Sequence, residues 1–348
     1  MTHFLQDILR QPEELRRVID LLSGPLSGSL HRAADEIKQA RHVYFTGIGA
    51  SWNAALGAGT LSYHAGRPVY LLDASELLYG SQIPAGSVLV ILSRSGRSGE
   101  IQMLLEKAHA AAASVVGITN FADGALARNA DISLVLPVAP DHGISVNTYV
   151  SLVAGAAALT TAVNERFDAE LVSDLLRAIE VTERKIPRWQ EQLAESSWLL
   201  PGATYYFLAR GSSLASSNAG QLLWEEGVKM PAVALGTDMF RHGPQEVVTA
   251  GIRVAIWIDE KEREADYTVA RELGRLGAQV MAIGSGLPAG LAELTIDLPS
   301  WPPGWRFLMD ILPAQLAAER LASLSGVDCD SFRFASYVVE DVYGLFHN

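Results

Sequence analysis

Residues 88–108 read VLVILSRSGRSGEIQMLLEKA, and this stretch indicates both a fold class and a function. Val88–Leu92 is a short apolar run rich in β-branched residues, which is typical of a strand buried on both faces. From Ile101 onward the apolar residues recur at helical spacing, so a helix is predicted to begin near Ser98. A buried strand that leads directly into a helix is the repeating unit of a parallel α/β sheet.

The loop between this strand and this helix is rich in small and basic residues: Ser93, Arg94, Ser95, Gly96, Arg97, Ser98 and Gly99. The start of a helix leaves backbone N–H groups without partners, and such amides bind anions. Together with the serine hydroxyls and the arginine charges, they would suit a phosphate group. The alternative is an ordinary strand-to-helix turn, in which serine and glycine are common. The spacing matches neither a Walker loop, which needs Gly-Lys-Ser/Thr, nor a GxGxxG dinucleotide turn.

Composition and charge exclude several classes of protein. The 348 residues exceed one ordinary domain, and 49% hydrophobic with 19% charged residues is enough for a large core. The net charge of −12 argues against nucleic acid and anionic membranes as partners. Cys329 is the single cysteine, so neither a disulfide framework nor a cysteine-based metal site is expected. The N-terminus lacks the apolar core of a signal peptide, and the apolar run Tyr149–Val163 is too short to span a membrane, which predicts a cytoplasmic protein.

An internal repeat predicts two similar halves. Four segments of the first half match segments of the second in the same order, at offsets of 162 or 165 residues: Val43–Ser51 with Tyr205–Ser213, Val88–Gly96 with Arg253–Lys261, Ala113–Thr119 with Ala278–Gly284, and Ala130–Val138 with Ala292–Ser300. Four matches at nearly one offset are the signature of a repeated architecture. Each half alternates apolar strands with amphipathic helices, which predicts a parallel α/β sheet in each.

The predicted fold class is therefore α/β, with two tandem three-layer αβα domains that each contain a five-stranded parallel sheet flanked by helices. The predicted divisions are an N-terminal helical segment, a first domain, a helical linker, a second domain and a C-terminal tail, at residues 1–30, 31–167, 168–195, 196–326 and 327–348. Within these divisions we expect a first helix over Pro12–Leu22 and a last helix over residues 304–324. Ligands of such sheets bind at the carboxyl ends of the strands.

The second half has lost the phosphate-binding chemistry. Trp257–Glu262 stands where the first half has SRSGRS, and its three acids would repel a phosphate. Glu226 lies near the end of a helix predicted from Ser213, where the negative end of the helix dipole would raise the pKa of a carboxyl group and suit it to proton abstraction. His242 lies in an Arg-His-Gly-Pro turn, where a titrating imidazole can reach a substrate. The alternative is a surface acid pair with a loop histidine.

These motifs resemble the double sugar-isomerase (SIS) domain family, typified by the isomerase domain of glucosamine-6-phosphate synthase, from about Leu30 to about Glu340. SRSGRS at 93–98 resembles the family's phosphate loop SQSGET, and GASWNA at 49–54 resembles its first binding turn, GTSYHA. RHGP stands in place of the family's KHGP. The ending DCDSFRFASYVVE at 328–340 is similar to DVDQPRNLAKSVTVE.

The resemblance implies a homodimer with shared active sites that binds a phosphorylated sugar or amino sugar and needs no metal or cofactor. The implied residues of the phosphate site are Gly49, Ser51, Ser93, Arg94, Ser95, Gly96 and Ser98. Glu226 would carry a proton between C1 and C2 of the sugar. The partner subunit's His242 would open the sugar ring, and the C-terminal tail would close over the site.

Two departures from the family bear on the reaction. Ala335 and Leu223 stand where the family synthase has lysines, which argues against Schiff-base chemistry. The sequence also starts at the linker helix, so glutamine is not expected as the nitrogen source. The expected activity is that of a stand-alone amino-sugar-phosphate isomerase or deaminase. The alternatives are a deglycase of phosphorylated fructosamines and a non-catalytic sugar-phosphate-binding regulator, but the presence of both Glu226 and His242 favours an enzyme.

Overall fold

The computed structural model describes residues 1–334 and 337–342. The first half of the chain contains one five-stranded sheet, whose strands are β1 (Val43–Thr46), β2 (Tyr70–Leu71), β3 (Val88–Ser93), β4 (Ser114–Thr119) and β5 (Ile132–Val135). The helices of this half are α1 (His3–Ser23), α2 (Ser27–Gln39), α3 (Ala50–His64), α4 (Gly99–Ala110), α5 (Ala125–Asn129) and α6 (Asn147–Val163). All strand pairs are parallel, in the order β2-β1-β3-β4-β5.

The second half repeats this sheet. Its strands are β6 (Tyr205–Ala209), β7 (Ala232–Gly236), β8 (Arg253–Trp257), β9 (Gln279–Gly284) and β10 (Leu294–Asp297). Its helices are α7 (Ala169–Glu195), α8 (Leu214–Leu223), α9 (Thr237–Arg241), α10 (Arg263–Arg275) and α11 (Leu312–Leu324). The parallel order β7-β6-β8-β9-β10 is that of the first sheet. Two five-stranded parallel sheets flanked by helices are thus confirmed.

The strand register follows the sequence repeat residue by residue. Val43 pairs with Val88 in the first sheet, and their repeat counterparts Tyr205 and Arg253 pair in the second. Equal register keeps each strand's inward face in the same place, because a slip of one residue would turn every side chain to the opposite face of the sheet. The offsets read from the sequence therefore correspond to equivalent positions in the two sheets.

The burial of β3 fixes the position at which the loop after it begins. All six of its residues are buried. Leu89 and Ile91 form a core cluster with Ile101 and Leu104 of α4 on one face of the sheet. Each fully buried aliphatic side chain contributes about 1.5–3 kcal/mol relative to an exposed one. The strand and the helix on either side of the loop are thus both fastened to the core.

The N-terminal region differs from the prediction. The first helix was expected to begin at Pro12 but begins at His3, with Pro12 inside it, and a second helix, α2, was not expected. The apolar face of α1 continues on both sides of the proline, since Ile8, Leu15 and Ile19 are all completely buried. Burial of this face outweighs the one backbone hydrogen bond that proline cannot donate.

Two helices of the second half are shorter than predicted. The last helix was expected from residue 304 but begins at Leu312, after a short 3₁₀ turn at Arg306–Leu308. Pro313 lies in the first turn of α11, where its missing N–H is tolerated, whereas a helix running through it from 304 would be broken. The helix expected over 213–228 ends at Leu223 and continues as a π-helical turn, Trp224–Val228.

The chain forms two compact units. One comprises Met1–Leu9 with Arg177–Ser331, and the other comprises Arg10–Leu176 with the described residues of Phe332–Asn348. The division falls inside α1 and inside α7, the helix predicted as a linker. Across residues 1–334 and 337–342, no helix has the length and apolar character that crossing a membrane requires.

Candidate active site

The loop after β3 is folded by hydrogen bonds within itself. The Gly96 amide donates to Ser93 Oγ and the Arg97 amide donates to Ser95 Oγ, both at 3.1 Å. A hydroxyl group that accepts one bond still has a proton to donate. Ser93 and Ser95 are 4% and 6% exposed, and Ser98 is the N-cap residue of α4. The amides of Gly96 and Arg97 are therefore used within the loop, while the serine hydroxyls and the first turn of α4 supply donors for an anion.

A second loop, residues 120–126, holds the first in place. The Asn120 amide donates to the Arg94 carbonyl at 3.1 Å, and the Leu126 amide donates to the Gly96 carbonyl at 3.2 Å. A Cβ atom at Gly124 would come within 2.1 Å of the Ser95 carbonyl oxygen, a distance that no side chain tolerates. The absence of a side chain at Gly124 thus lets the two loops pack backbone against backbone.

The turn that carries Ser51 lies at the same edge of the sheet. Thr46 of β1 pairs in parallel with Ile91 of β3, so the segments that follow these two neighbouring strands emerge side by side. Gly49 has φ of +58°, in the left-handed region that favours glycine, and α3 begins at the next residue. Ser51, in the first turn of α3, is 8% exposed. The structure therefore places the two predicted phosphate-binding segments on adjacent strand ends.

Arg94 has protein partners in this structure. One guanidinium nitrogen donates to Ser145 Oγ at 2.9 Å and to the Gly143 carbonyl at 3.4 Å. The other terminal nitrogen donates to the Tyr337 carbonyl, and the guanidinium carbon lies 3.8 Å from the centre of the Tyr337 ring. The arginine predicted to contact phosphate thus joins the loop to two other segments of the same compact unit.

The segment around Ser145 is organised by a buried carboxylate whose role was not predicted from the sequence. Asp141 is 3% exposed, and it accepts hydrogen bonds from the amides of Val146, Asn147 and Thr148, each at 3.0 Å. It also accepts the Thr148 hydroxyl at 2.6 Å. The carboxylate therefore caps the N-terminus of α6. An acid that precedes a short polar run and a long apolar helix is the signal that could have revealed this role.

Glu226 lies in the π-helical turn Trp224–Val228 and is half-buried, whereas Glu225 beside it is exposed. Lys229 follows this turn with φ of +60°. Its ammonium group donates to the Glu226 carbonyl and, at 2.8 Å, to the Ser331 carbonyl. π-Helical turns are rare and often mark functional positions. The raised pKa of Glu226 remains a prediction.

His242 is exposed in the turn that follows α9. Gly243, with φ of +128°, lets the chain leave the helix abruptly. An ionic network fixes α9: its Asp238 pairs with Arg210, whose Nε donates to Asp266 at 2.8 Å. Burial raises the pKa of Asp266, and the Arg210 guanidinium opposes this shift. The network was not predicted, because its members are separated by more than twenty residues in the sequence.

In the second sheet, the strand ends that correspond to the candidate phosphate site are filled by side chains of the protein itself. Ser213, the repeat counterpart of Ser51, donates its hydroxyl to Asp310 at 2.7 Å, and Ser216 donates to the same carboxylate. Arg306 Nε lies 3.6 Å from this carboxylate, which is completely buried. Burial raises the pKa of Asp310, while Arg306 acts in the opposite direction. The Asp310 carboxylate thus accepts the hydrogen bonds of the serine hydroxyls, which are then not available to an anion.

Comparisons with known proteins find one family model and several relatives similar to this chain. Residues 36–163 match the model of the SIS domain. The chain is 25% identical over 340 residues to a glutamine–fructose-6-phosphate aminotransferase (isomerizing) of Sulfurisphaera tokodaii, covering 95% of this chain and 55% of that protein. The chain therefore spans little more than half of the length of the curated relatives it matches.

Two solved structures are similar over nearly the whole chain. The C-terminal domain of glucosamine-fructose-6-phosphate aminotransferase from Francisella tularensis superposes with a TM-score of 0.82 at 18% identity, covering 94% of this chain and 97% of that one. Glucosamine-6-phosphate deaminase from Thermotoga maritima gives 0.81 at 18% identity, with coverages of 97% and 99%. The match to the SIS model thus covers residues 36–163, and the chain shares the fold of these solved structures along nearly its whole length.

We predict that Gly124→Ala disrupts the loop after β3. The backbone of Gly124, with φ of −72° and ψ of 155°, suits alanine, so the damage would come from the contacts with Ser95 and Gly96 and not from backbone strain. We expect a loss of about 1–3 kcal/mol in the free energy of unfolding by overpacking. Gly274→Ala is the control, because Gly274 lies in α10 with open space around it and should gain up to about 1 kcal/mol. Equal unfolding midpoints in urea for wild type and Gly124→Ala would contradict this account.

Proposed function

We propose that this protein is an isomerase or deaminase of an amino-sugar 6-phosphate. The observation that carries the proposal is the loop after β3, in which two nearly buried serines retain hydroxyl protons next to the N-terminus of α4. Such a group of donors suits the phosphate of a sugar. The similarity to relatives whose names specify fructose-6-phosphate and glucosamine-6-phosphate supports the same class of ligand.

In this proposal the phosphate is held by neutral donors. Ser51, Ser93, Ser95 and Ser98 donate hydroxyl protons, and the first-turn amides of α4 donate from the positive end of the helix dipole. Gly49 and Gly96 shape the two turns. Binding the phosphate far from the reacting carbons fixes their position and lowers the entropic part of the barrier.

The chemistry needs one group to open the sugar ring and one to move a proton between carbons. We assign ring opening to His242, which would transfer a proton between O1 and O5. We assign to Glu226 the transfer of a proton between C1 and C2 through an enediol or enolamine. Each acid–base group of this kind typically contributes 10²–10⁴ in rate.

We further propose that the active form is a homodimer in which His242 serves the partner's site. His242 is exposed, and apolar side chains near it in the sequence are also exposed, with Met239 at 66% and Val247 at 44%. In the proposed dimer these exposed side chains would lie at the interface. The second sheet, with the same strand order as the first, would be a second SIS domain that supplies Glu226 and His242.

The two alternatives differ from this proposal in the substrate or in the absence of turnover. A deglycase would act on a phosphorylated fructosamine, and a regulator would bind a sugar phosphate without turnover. Incubation with glucosamine-6-phosphate, fructose-6-phosphate and a fructosamine phosphate, with ammonia, ketose and free amine measured, separates the three. Ammonia release or aldose–ketose conversion supports the proposal. Release of amine from the fructosamine alone indicates a deglycase, and binding without any product indicates a regulator.

We predict that Ser93→Ala and Ser95→Ala together weaken sugar-phosphate binding. Each substitution removes a donor to a charged oxygen, worth about 1.5–3 kcal/mol, and an acceptor for a loop amide. We expect the KM for the phosphorylated sugar to rise at least tenfold. Ser133→Ala is the control, since its hydroxyl donates to the Ala127 carbonyl and belongs to no proposed contact. Unchanged affinity in the double variant, measured by calorimetry, would exclude this loop as the phosphate site.

We predict that inactive Glu226→Gln and His242→Ala dimers restore activity when their subunits exchange. A mixed dimer has one site in which the glutamate and the histidine are both intact, provided that they come from different chains. Glu225→Gln should remain active, because Glu225 is the exposed neighbour of Glu226. If mass spectrometry shows exchange while activity stays at background, His242 acts within its own chain or not at all.

A further inference from the structure

The π-helical turn that carries Glu226 is anchored in the core at its first residue. This residue, Trp224, is completely buried, and its ring centre lies 4.8 Å from that of Phe207 and 5.2 Å from that of Tyr205. The Lys229 amide donates to the Trp224 carbonyl, which closes the turn. Aromatic packing and this backbone bond therefore fix the position at which the turn begins.

The residue that follows the turn holds it from the other end. Lys229 has φ of +60° and ψ of 34°, a left-handed conformation that glycine adopts freely and that is unfavourable for lysine. Its ammonium group donates to the carbonyl of Glu226, three residues earlier. A strained backbone conformation persists where the surrounding contacts enforce it. The contacts of the ammonium group thus offset the strain at Lys229.

The same ammonium group binds a second loop of this compact unit, residues 328–331. It donates to the Ser331 carbonyl at 2.8 Å. The loop has its own hydrogen bonds, since Asp328 accepts the Asp330 amide at 2.9 Å and the Ser331 hydroxyl at 2.6 Å. Asp330 in turn accepts the first two amides of α1, at 2.8 and 2.7 Å. Lys229 therefore joins the Glu226 turn to a loop that is itself fastened to a helix.

A bridge of this kind bears on the reaction because it acts on the backbone of Glu226. The position of the backbone decides where the carboxylate can reach, and a group that moves a proton must lie within hydrogen-bond distance of it. A misplacement of 1 Å can lower the rate about 10²-fold. An ammonium group has three protons to donate and can therefore bind two carbonyls at once.

We propose that Lys229 is a positioning residue, which bridges the carbonyls of Glu226 and Ser331 and so holds the Glu226 carboxylate in place for proton transfer. This inference rests on the proposed function, in which Glu226 moves a proton between C1 and C2. It assigns Lys229 no contact with the substrate. A substitution of Lys229 is therefore expected to lower kcat and to leave KM nearly unchanged, because the phosphate is held by serines of the other half.

Three variants of Lys229 test this role. Lys229→Met has a side chain of similar length without donors, and its kcat with glucosamine-6-phosphate should fall 10- to 100-fold at a KM within about twofold of the wild type. Lys229→Arg keeps the charge and the donors and should recover most of the activity. Lys229→Gly relieves the left-handed strain, so its unfolding midpoint in urea should lie above that of Lys229→Met although its kcat falls equally. A purely structural role would make activity follow stability.

Hydrogen exchange measures the anchoring of the turn without requiring turnover. In peptides that contain residues 225–230, Lys229→Met should exchange several-fold faster than the wild type, because the turn has lost its outer anchor. Lys185→Met is the matched control, since the Lys185 ammonium also donates to a backbone carbonyl, that of Asp297 at 3.0 Å. Its kcat and the exchange of these peptides should equal those of the wild type.

The outcomes separate this inference from the proposed function. A Lys229→Met variant with wild-type kcat, or with wild-type exchange in the turn, would overturn the role of Lys229. A raised KM at unchanged kcat would indicate that Lys229 contacts the substrate, which also overturns it. If exchange accelerates as expected while the wild type converts none of the sugar phosphates, the anchoring of the turn stands and the proposed function fails.

Discussion

The candidate site depends on how the backbone after β3 is held. The carbonyls of Arg94 and Gly96 accept hydrogen bonds from the amides of Asn120 and Leu126, and Gly124 lets the two loops touch without side chains between them. The strand before this loop and the helix after it are anchored in the core, so these bonds hold the loop between two fixed ends. In the proposed site, hydroxyl groups held in this way would need little rearrangement to bind an anion, which would reduce the entropic cost of binding.

The two halves share one fold but differ in the side chains at the carboxyl ends of their strands. Their strands match in order and register, and Gly49 and Gly211 adopt almost the same positive φ. The difference lies in a buried carboxylate, since Asp310 accepts the hydroxyls of Ser213 and Ser216 in the second half. This carboxylate lies beside Arg306 and already accepts the hydrogen bonds of both serine hydroxyls. A phosphate approaching this edge would be repelled by the negative charge of Asp310 and would find no hydroxyl proton left to accept.

The sequence predicted the features that repeat or that are local. Buried β-branched runs such as Val88–Leu92 and constant offsets between the halves predicted the sheets, and the apolar spacing after the Ser/Gly loop predicted the start of α4. It did not predict features that depend on distant partners. Pro12 lies inside a helix because an apolar face is buried on both sides of it, and Asp141 caps a helix through a loop whose fold no local pattern specifies. Ala335, one of the departures from the family pattern, lies outside the described residues.

Arg94 illustrates why residue type alone is a poor guide to a role. An arginine in a phosphate loop suggests a direct ion pair, yet its guanidinium is bonded to Ser145, Gly143 and Tyr337. In the proposed site the donors left for an anion are then neutral hydroxyls and helix amides, which would bind phosphate through a dipole instead of a full charge. In a chain of net charge −12, a positive side chain committed to the protein's own carbonyls still offsets the surrounding negative potential. In the proposed site Arg94 would therefore favour an anion through its charge, while its guanidinium stays bonded to Ser145, Gly143 and Tyr337.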